Sequence, residues 1–97
     1  MGFEWSIRAD SHTNAQILSV IGQCFVEAGF SDIQVDDLGI HVLSDDPKWP
    51  FFWVTPDDSN GGLYFLANHS CKQGEEAILR IKQRLQLEGI RVTVSEL

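Results

Sequence analysis

The chain has 97 residues, 43% hydrophobic and 10% aromatic, with a formal net charge of −7. It is long enough to bury roughly two thirds of its unfolded-chain surface, so a single domain over residues 1–97 folds without staples. No stretch approaches the ~20 apolar residues of a membrane span, the N-terminus lacks the features of a signal peptide, and the acidic balance speaks against nucleic acid, so a cytoplasmic protein with a basic protein partner is expected.

Phe3, Trp5 and Ile7 alternate with Glu4, Ser6 and Arg8, the period of a half-buried strand. Thr13 and Gln16 stand at capping-box spacing before a helix whose apolar stripe is Ile17, Val20/Ile21, Cys24/Phe25 and Ala28. Gly29 is placed to end it in a left-handed cap. Ile33 and Val35 begin a second strand, but the alternation changes phase at Asp36-Asp37 before Leu38, Ile40 and Val42 resume it. Either a bulge adds one residue, or Asp36-Asp37-Leu38-Gly39 is a tight turn. The residue order favours the turn.

Ser44 to Pro50 is a polar loop carrying Trp49. Beyond it, Phe51-Phe52-Trp53-Val54 and Leu63-Tyr64-Phe65-Leu66 flank a run of turn residues from Thr55 to Gly62 and read as a hairpin. Neither run alternates with polar residues, which puts both strands at the centre of the sheet. Ala67 to Ser70 leads into a second helix with Ala77/Ile78, Ile81 and Leu85 buried; Glu75 and Glu76 lie near its start and Lys82 and Arg84 toward its end. Gly89 closes it, and Ile90, Val92 and Val94 form a last strand.

The order β-α-β(β)-β-β-α-β describes an α+β two-layer sandwich. It resembles the ferredoxin-like arrangement of split β-α-β units, which implies two helices on one face of a mostly antiparallel sheet and an open opposite face. That face is expected to display Phe51 and Trp53 or Phe52 and Val54, with Leu63 and Phe65 or Tyr64 and Leu66. An apolar patch of this kind marks a homodimer interface or a partner's docking site.

Between Asp32 and Asp58 stand seven aspartates against one base, Lys48, so this segment holds six of the seven net negative charges. Three doublets, Asp36-Asp37, Asp45-Asp46 and Asp57-Asp58, fall in predicted turns, where they either form an acidic face that steers a cationic partner or are ordinary solvated turn residues. The partner-binding set is Asp36, Asp37, Asp45, Asp46, Asp57, Asp58, Trp49, Phe51, Trp53 and Tyr64.

Other chemistry is weakly signalled. Asp57 to Gly62 places glycine at the sixth position of a calcium loop, but Asn68 replaces the bidentate glutamate at the twelfth, and a hairpin tip accounts for the run. Trp5, Trp49 and Trp53 either line a pocket or belong to the core. His12 precedes the first helix and His69 and Cys71 the second, with His41 in a strand; the turn at residues 36–39 would hold His12 and Cys71 at opposite ends of the sheet, whereas a bulge would bring them to one end. The sequence shows no zinc-ligand spacing, phosphate-binding glycine loop or nucleophile elbow, so neither metal nor cofactor is expected. Cys24 and Cys71 read as free thiols.

Two functions fit. The first is a small acidic non-enzymatic interaction module, such as an immunity protein or an antitoxin-like inhibitor of a basic partner. The second is a small-ligand-binding or catalytic domain using the open sheet face or the His and Cys groups.

Overall fold

A computed structural model describes residues 3–10, 12–36, 39–45, 48–57 and 61–97. In chain order the elements are β1 (Phe3–Ala9), α1 (Asn14–Glu27), β2 (Ile33–Asp36), β3 (Gly39–Val42), β4 (Phe52–Pro56), β5 (Leu63–Ala67), α2 (Cys71–Leu87) and β6 (Val92–Glu96). The strands form one sheet in the order β2-β3-β4-β5-β1-β6, with every pair antiparallel. The aromatic hairpin β4-β5 occupies its middle. Strands β2 to β5 follow one another as a meander, so only β1 enters the sheet from outside sequence order.

Both helices are delimited by local chemistry. Thr13 accepts a hydrogen bond from the Gln16 backbone while the Gln16 side chain accepts from the Thr13 N–H, a reciprocal capping box. Ser70 caps α2 by accepting from the Gln73 N–H. The two C-termini repeat one motif: Gly29 and Gly89 take positive φ, their N–H groups reach Val26 and Gln86, and the next residues, Phe30 and Ile90, reach back to Phe25 and Leu85. This is the Schellman arrangement, and glycine fits it because a left-handed residue with a Cβ is strained.

The register sorts each strand into two faces. Ile40, Val42, Phe52, Val54, Leu63, Phe65, Ala67, Trp5 and Ile7 point to one side and are buried beneath Ile17, Ile21 and Phe25 of α1 and Ile78, Ile81 and Leu85 of α2. Phe25, Phe52 and Phe65 form its aromatic centre, with Phe25 stacked on Phe52 at 5.3 Å between ring centroids. Trp5 extends this cluster, meeting Phe65 edge-on and lying over Gly74 of α2. A Cβ at Gly74 would stand 2.6 Å from the indole, so α2 reaches the sheet at that point because position 74 has no side chain.

Asp36 pairs with Gly39 across β2 and β3, so the phase change is a strand reversal and not a bulge; Asp37 and Leu38 lie outside the described residues. Since β1 and β5 are antiparallel, α1 and α2 start at opposite ends of the sheet. None of the helices is long and apolar enough to cross a membrane, among the described residues.

Candidate functional site

The face of the sheet away from the helices carries Trp53, Tyr64 and Leu66 at its centre. His41, Trp53, Leu66 and Glu4 form one cross-strand row, and Thr55, Tyr64 and Ser6 the next. Trp53 remains 41% exposed, with the His41 ring edge-on to it at 5.1 Å. Tyr64 and Leu66 are half-buried, and the Tyr64 hydroxyl donates to the Glu4 carboxylate. Partial burial, and then this bond to a carboxylate, pushes the Tyr64 pKa up to about 12. The His41 Nε2 is shielded from solvent and has no hydrogen-bond partner among the described residues. Toward β6 the face turns polar, through Ser6, Arg8, Thr93 and Ser95.

This is smaller than the apolar patch that the sequence suggests. Phe52, Val54, Leu63 and Phe65 all face the helices, and Phe51 does not share the outer face with Trp53. The chain bends at Phe51, just before β4, and turns its ring against Phe30 and His69. Two of the three outward residues are aromatics with a polar group, which tolerate half-exposure, and that is why these strands lack polar alternation without being covered on both sides.

The three tryptophans do not converge on one pocket. Trp5 is in the core, Trp53 lies on the open face, and Trp49 is 57% exposed in the loop before β4. Nor do the described aspartates between Asp32 and Asp58 form a single acidic face. Asp36 closes β2 and Asp57 follows β4 at one end of the sheet, whereas Asp45 follows β3 at the other. Successive turns of an antiparallel meander alternate between ends, so even spacing along the chain divides the charge. Asp37, Asp46 and Asp58 lie outside the described residues. In the run weighed as a calcium loop, the Asp57 N–H donates to the Gly62 carbonyl at 3.0 Å and the Asp57 carbonyl accepts from the Gly61 N–H at 2.8 Å; residues 58–60 lie outside the described part.

Ser44 and His69, brought together from distant segments, have the residue types of a nucleophile and base. Their geometry gives them another task. The Ser44 hydroxyl donates to the Trp49 carbonyl at 2.8 Å, and the His69 Nε2 stands 2.8 Å from the same oxygen, a separation that puts the proton on Nε2. With Nε2 a donor, it cannot accept the serine proton. Asn68 adds a bond to the Pro50 carbonyl, and the three side chains fasten the loop at residues 44–51 to the end of β5.

The thiols are likewise quiet. Burial raises the Cys24 pKa. Cys71, at the start of α2, is raised as well, by desolvation and then by the Glu75 carboxylate that accepts from its Sγ at 3.5 Å. Both causes act against the thiolate that a helix N-terminus by itself favours. His12 lies at the opposite end, its Nδ1 2.8 Å from the Asp10 carbonyl. Among the described residues no three histidine, cysteine or carboxylate groups gather where they could hold a metal.

On the helix side, a cleft of about 160 Å³ opens between α1 and α2, with Phe25, Phe30 and Phe52 among its walls and Gln73, Glu76 and Arg80 along its α2 side. The sequence reading missed it, because its walls come from two helices and a strand. In comparisons with known proteins, no family model, no curated protein and no solved structure matches this chain.

Proposed function

We propose that the chain is a small acidic protein-interaction module, without catalysis of its own, that docks a basic protein partner on the open face of the sheet. An immunity protein or an antitoxin-like inhibitor of a basic enzyme is an example of the class. The observation that carries this reading is the exposure of Trp53 at the centre of that face, beside Tyr64 and Leu66 and bordered by the carboxylates of Glu4, Asp36 and Asp57. Half-exposed aromatics ringed by polar groups are the usual anchors of protein interfaces. The unsatisfied His41 Nε2 beside Trp53 adds a polar group that a partner can complete.

Charge favours a foreign partner over a second copy. In a two-fold pairing of this face, Glu4, Asp36 and Asp57 would meet their own counterparts, and Arg8 toward β6 offsets them only in part. The unpaired Cys24 and Cys71 suit a reducing, cytoplasmic setting. We further read the fold as an enlarged ferredoxin-like domain, in which β1-α1-β2 and β5-α2-β6 are split β-α-β units and β3-β4 widens the sheet. The position of β1 between β5 and β6 and the matching helix ends support that reading.

The test immobilises the protein, captures binding proteins from the native host and repeats the capture with Trp53→Glu. The expected result is a partner with a basic contact surface, held by the wild type, released by salt and lost with a variant whose melting temperature is unchanged. Equal capture by the variant would overturn the reading. So would a wild-type homodimer that Trp53→Glu dissociates.

A further inference from the structure

We propose that the cleft between α1 and α2 binds a free α-amino acid with a single aromatic ring, seating the ring among Phe25, Phe30 and Phe52 and its two charges on Glu76 and Arg80. The cleft lies across the sheet from Trp53, so this inference stands apart from the docking of a protein partner.

Its apolar part has a structural origin. The helices are tied together where Arg84 of α2 bonds Glu27 at 2.7 Å and Gln23 at 3.3 Å. Toward the start of α2 the facing side chains are Ala28 and Ala77, too small to fill the gap, and Phe52 closes the bottom from β4. A space of about 160 Å³ results. Apolar cavities of about 150 Å³ hold a benzene ring, so the size suits a single ring.

The charged part selects among single-ring compounds. Glu76 and Arg80 are one turn apart on α2, at a spacing where Glu and Arg readily pair. Here they form no hydrogen bond or ion pair with each other or with any described residue, whereas Arg84, one turn further on, engages both Glu27 and Glu88. A lone carboxylate ligand could use Arg80 but would meet the Glu76 charge, and a lone amine would meet the reverse. A zwitterion satisfies both: its carboxylate accepts from the Arg80 guanidinium, its ammonium donates to Glu76, and the Gln73 amide stands one turn below.

The experiment is titration calorimetry of the full chain with L-phenylalanine, phenylacetate, phenethylamine and L-phenylalanine amide. One equivalent of L-phenylalanine should bind, with the three analogues weaker by about tenfold or more, since each leaves one charged partner unmatched. Glu76→Gln and Arg80→Gln should each weaken L-phenylalanine by about tenfold. Both residues are exposed, so an unchanged melting temperature verifies that these variants fold. Ala28→Leu, also at an exposed position, should abolish binding by narrowing the cleft. Absence of binding by L-phenylalanine up to its solubility limit would overturn the proposal. Equal binding of phenethylamine or of the amide would also overturn it, by showing an apolar hole that ignores the carboxylate.

Discussion

Tyr64 is the single tyrosine of the chain, so its ionisation can be followed without interference from another phenol. Burial and the bond to Glu4 favour its protonated form, with a folded pKa of about 12 against the ordinary phenol value of 10.0. A group whose folded pKa is raised lends stability that is full below the unfolded value and is lost as pH climbs through the folded one. Stability should therefore decline between pH 10 and 12 by an amount missing from Tyr64→Phe, and Glu4→Gln should lower the tyrosinate absorbance midpoint toward 10. A wild-type midpoint at the ordinary phenol value would mean that the Tyr64–Glu4 contact is not held in solution. Gly74 makes a second residue-scale case. Alanine in a helix interior is normally better than glycine by ~1 kcal/mol. Here its Cβ would press on Trp5 at 2.6 Å and on the Ala67 Cβ at 2.9 Å. Gly74→Ala should instead destabilise by about 1–3 kcal/mol in chemical denaturation, and much of that loss should vanish in a Trp5→Phe background, which removes the contacted ring atoms.

At the scale of elements, each helix is bounded by residues within a few positions of its own ends. The Thr13–Gln16 box satisfies two N–H groups that α1 would otherwise leave open, so Thr13→Ala should cost about 1 kcal/mol in equilibrium unfolding, with Thr13→Asp close to wild type. Equal losses in both variants would indicate a contact made by the threonine methyl group. Both helices, both capping serine or threonine positions and both closing glycines are readable from sequence for the same reason: their bonds span at most five residues. The strand runs are readable too. Which side of β4 and β5 faces outward is a different matter, because Phe51 to Val54 and Leu63 to Leu66 present two nearly equal apolar sets. The register against β1 and β3 selects Phe52, Val54, Leu63 and Phe65 for the core, and the bend at Phe51 then takes that ring out of the outer row.

For the whole molecule, the arrangement of charge governs how a partner would approach. A five-residue strand is roughly 17 Å long, so the ends bearing Asp57 and Asp45 are separated by about twice the ~8 Å Debye length of physiological salt. Tyr64 lies toward the Asp36 and Asp57 end. If a basic partner docks over Trp53 and Tyr64, the double variant Asp57→Asn, Asp58→Asn should slow association and flatten its dependence on salt, while Asp45→Asn, Asp46→Asn should change the rate far less. Stopped-flow association at several ionic strengths measures both. Equal effects from the two double variants would place the contact elsewhere.

The sequence by itself determined the existence of the elements and the two helix stripes, and it narrowed residues 36–39 to a tight turn or a bulge, favouring the turn. These follow from periodicity, capping and turn chemistry, all of which act over a few residues. The pairing of Asp36 with Gly39 decided the reversal, and with it the opposite placement of His12 and Cys71. Only the tertiary structure decided the pairing of β1 with β5 and β6, the division of the aspartates between two ends, the Glu4–Tyr64 bond across 60 positions and the cleft walled by Phe25, Phe30, Phe52 and Ala77. Each of those depends on which distant segments share an edge or a face once the sheet has closed over its core. No local pattern encodes that choice, because the same alternation of side chains serves any neighbouring strand that covers its apolar half.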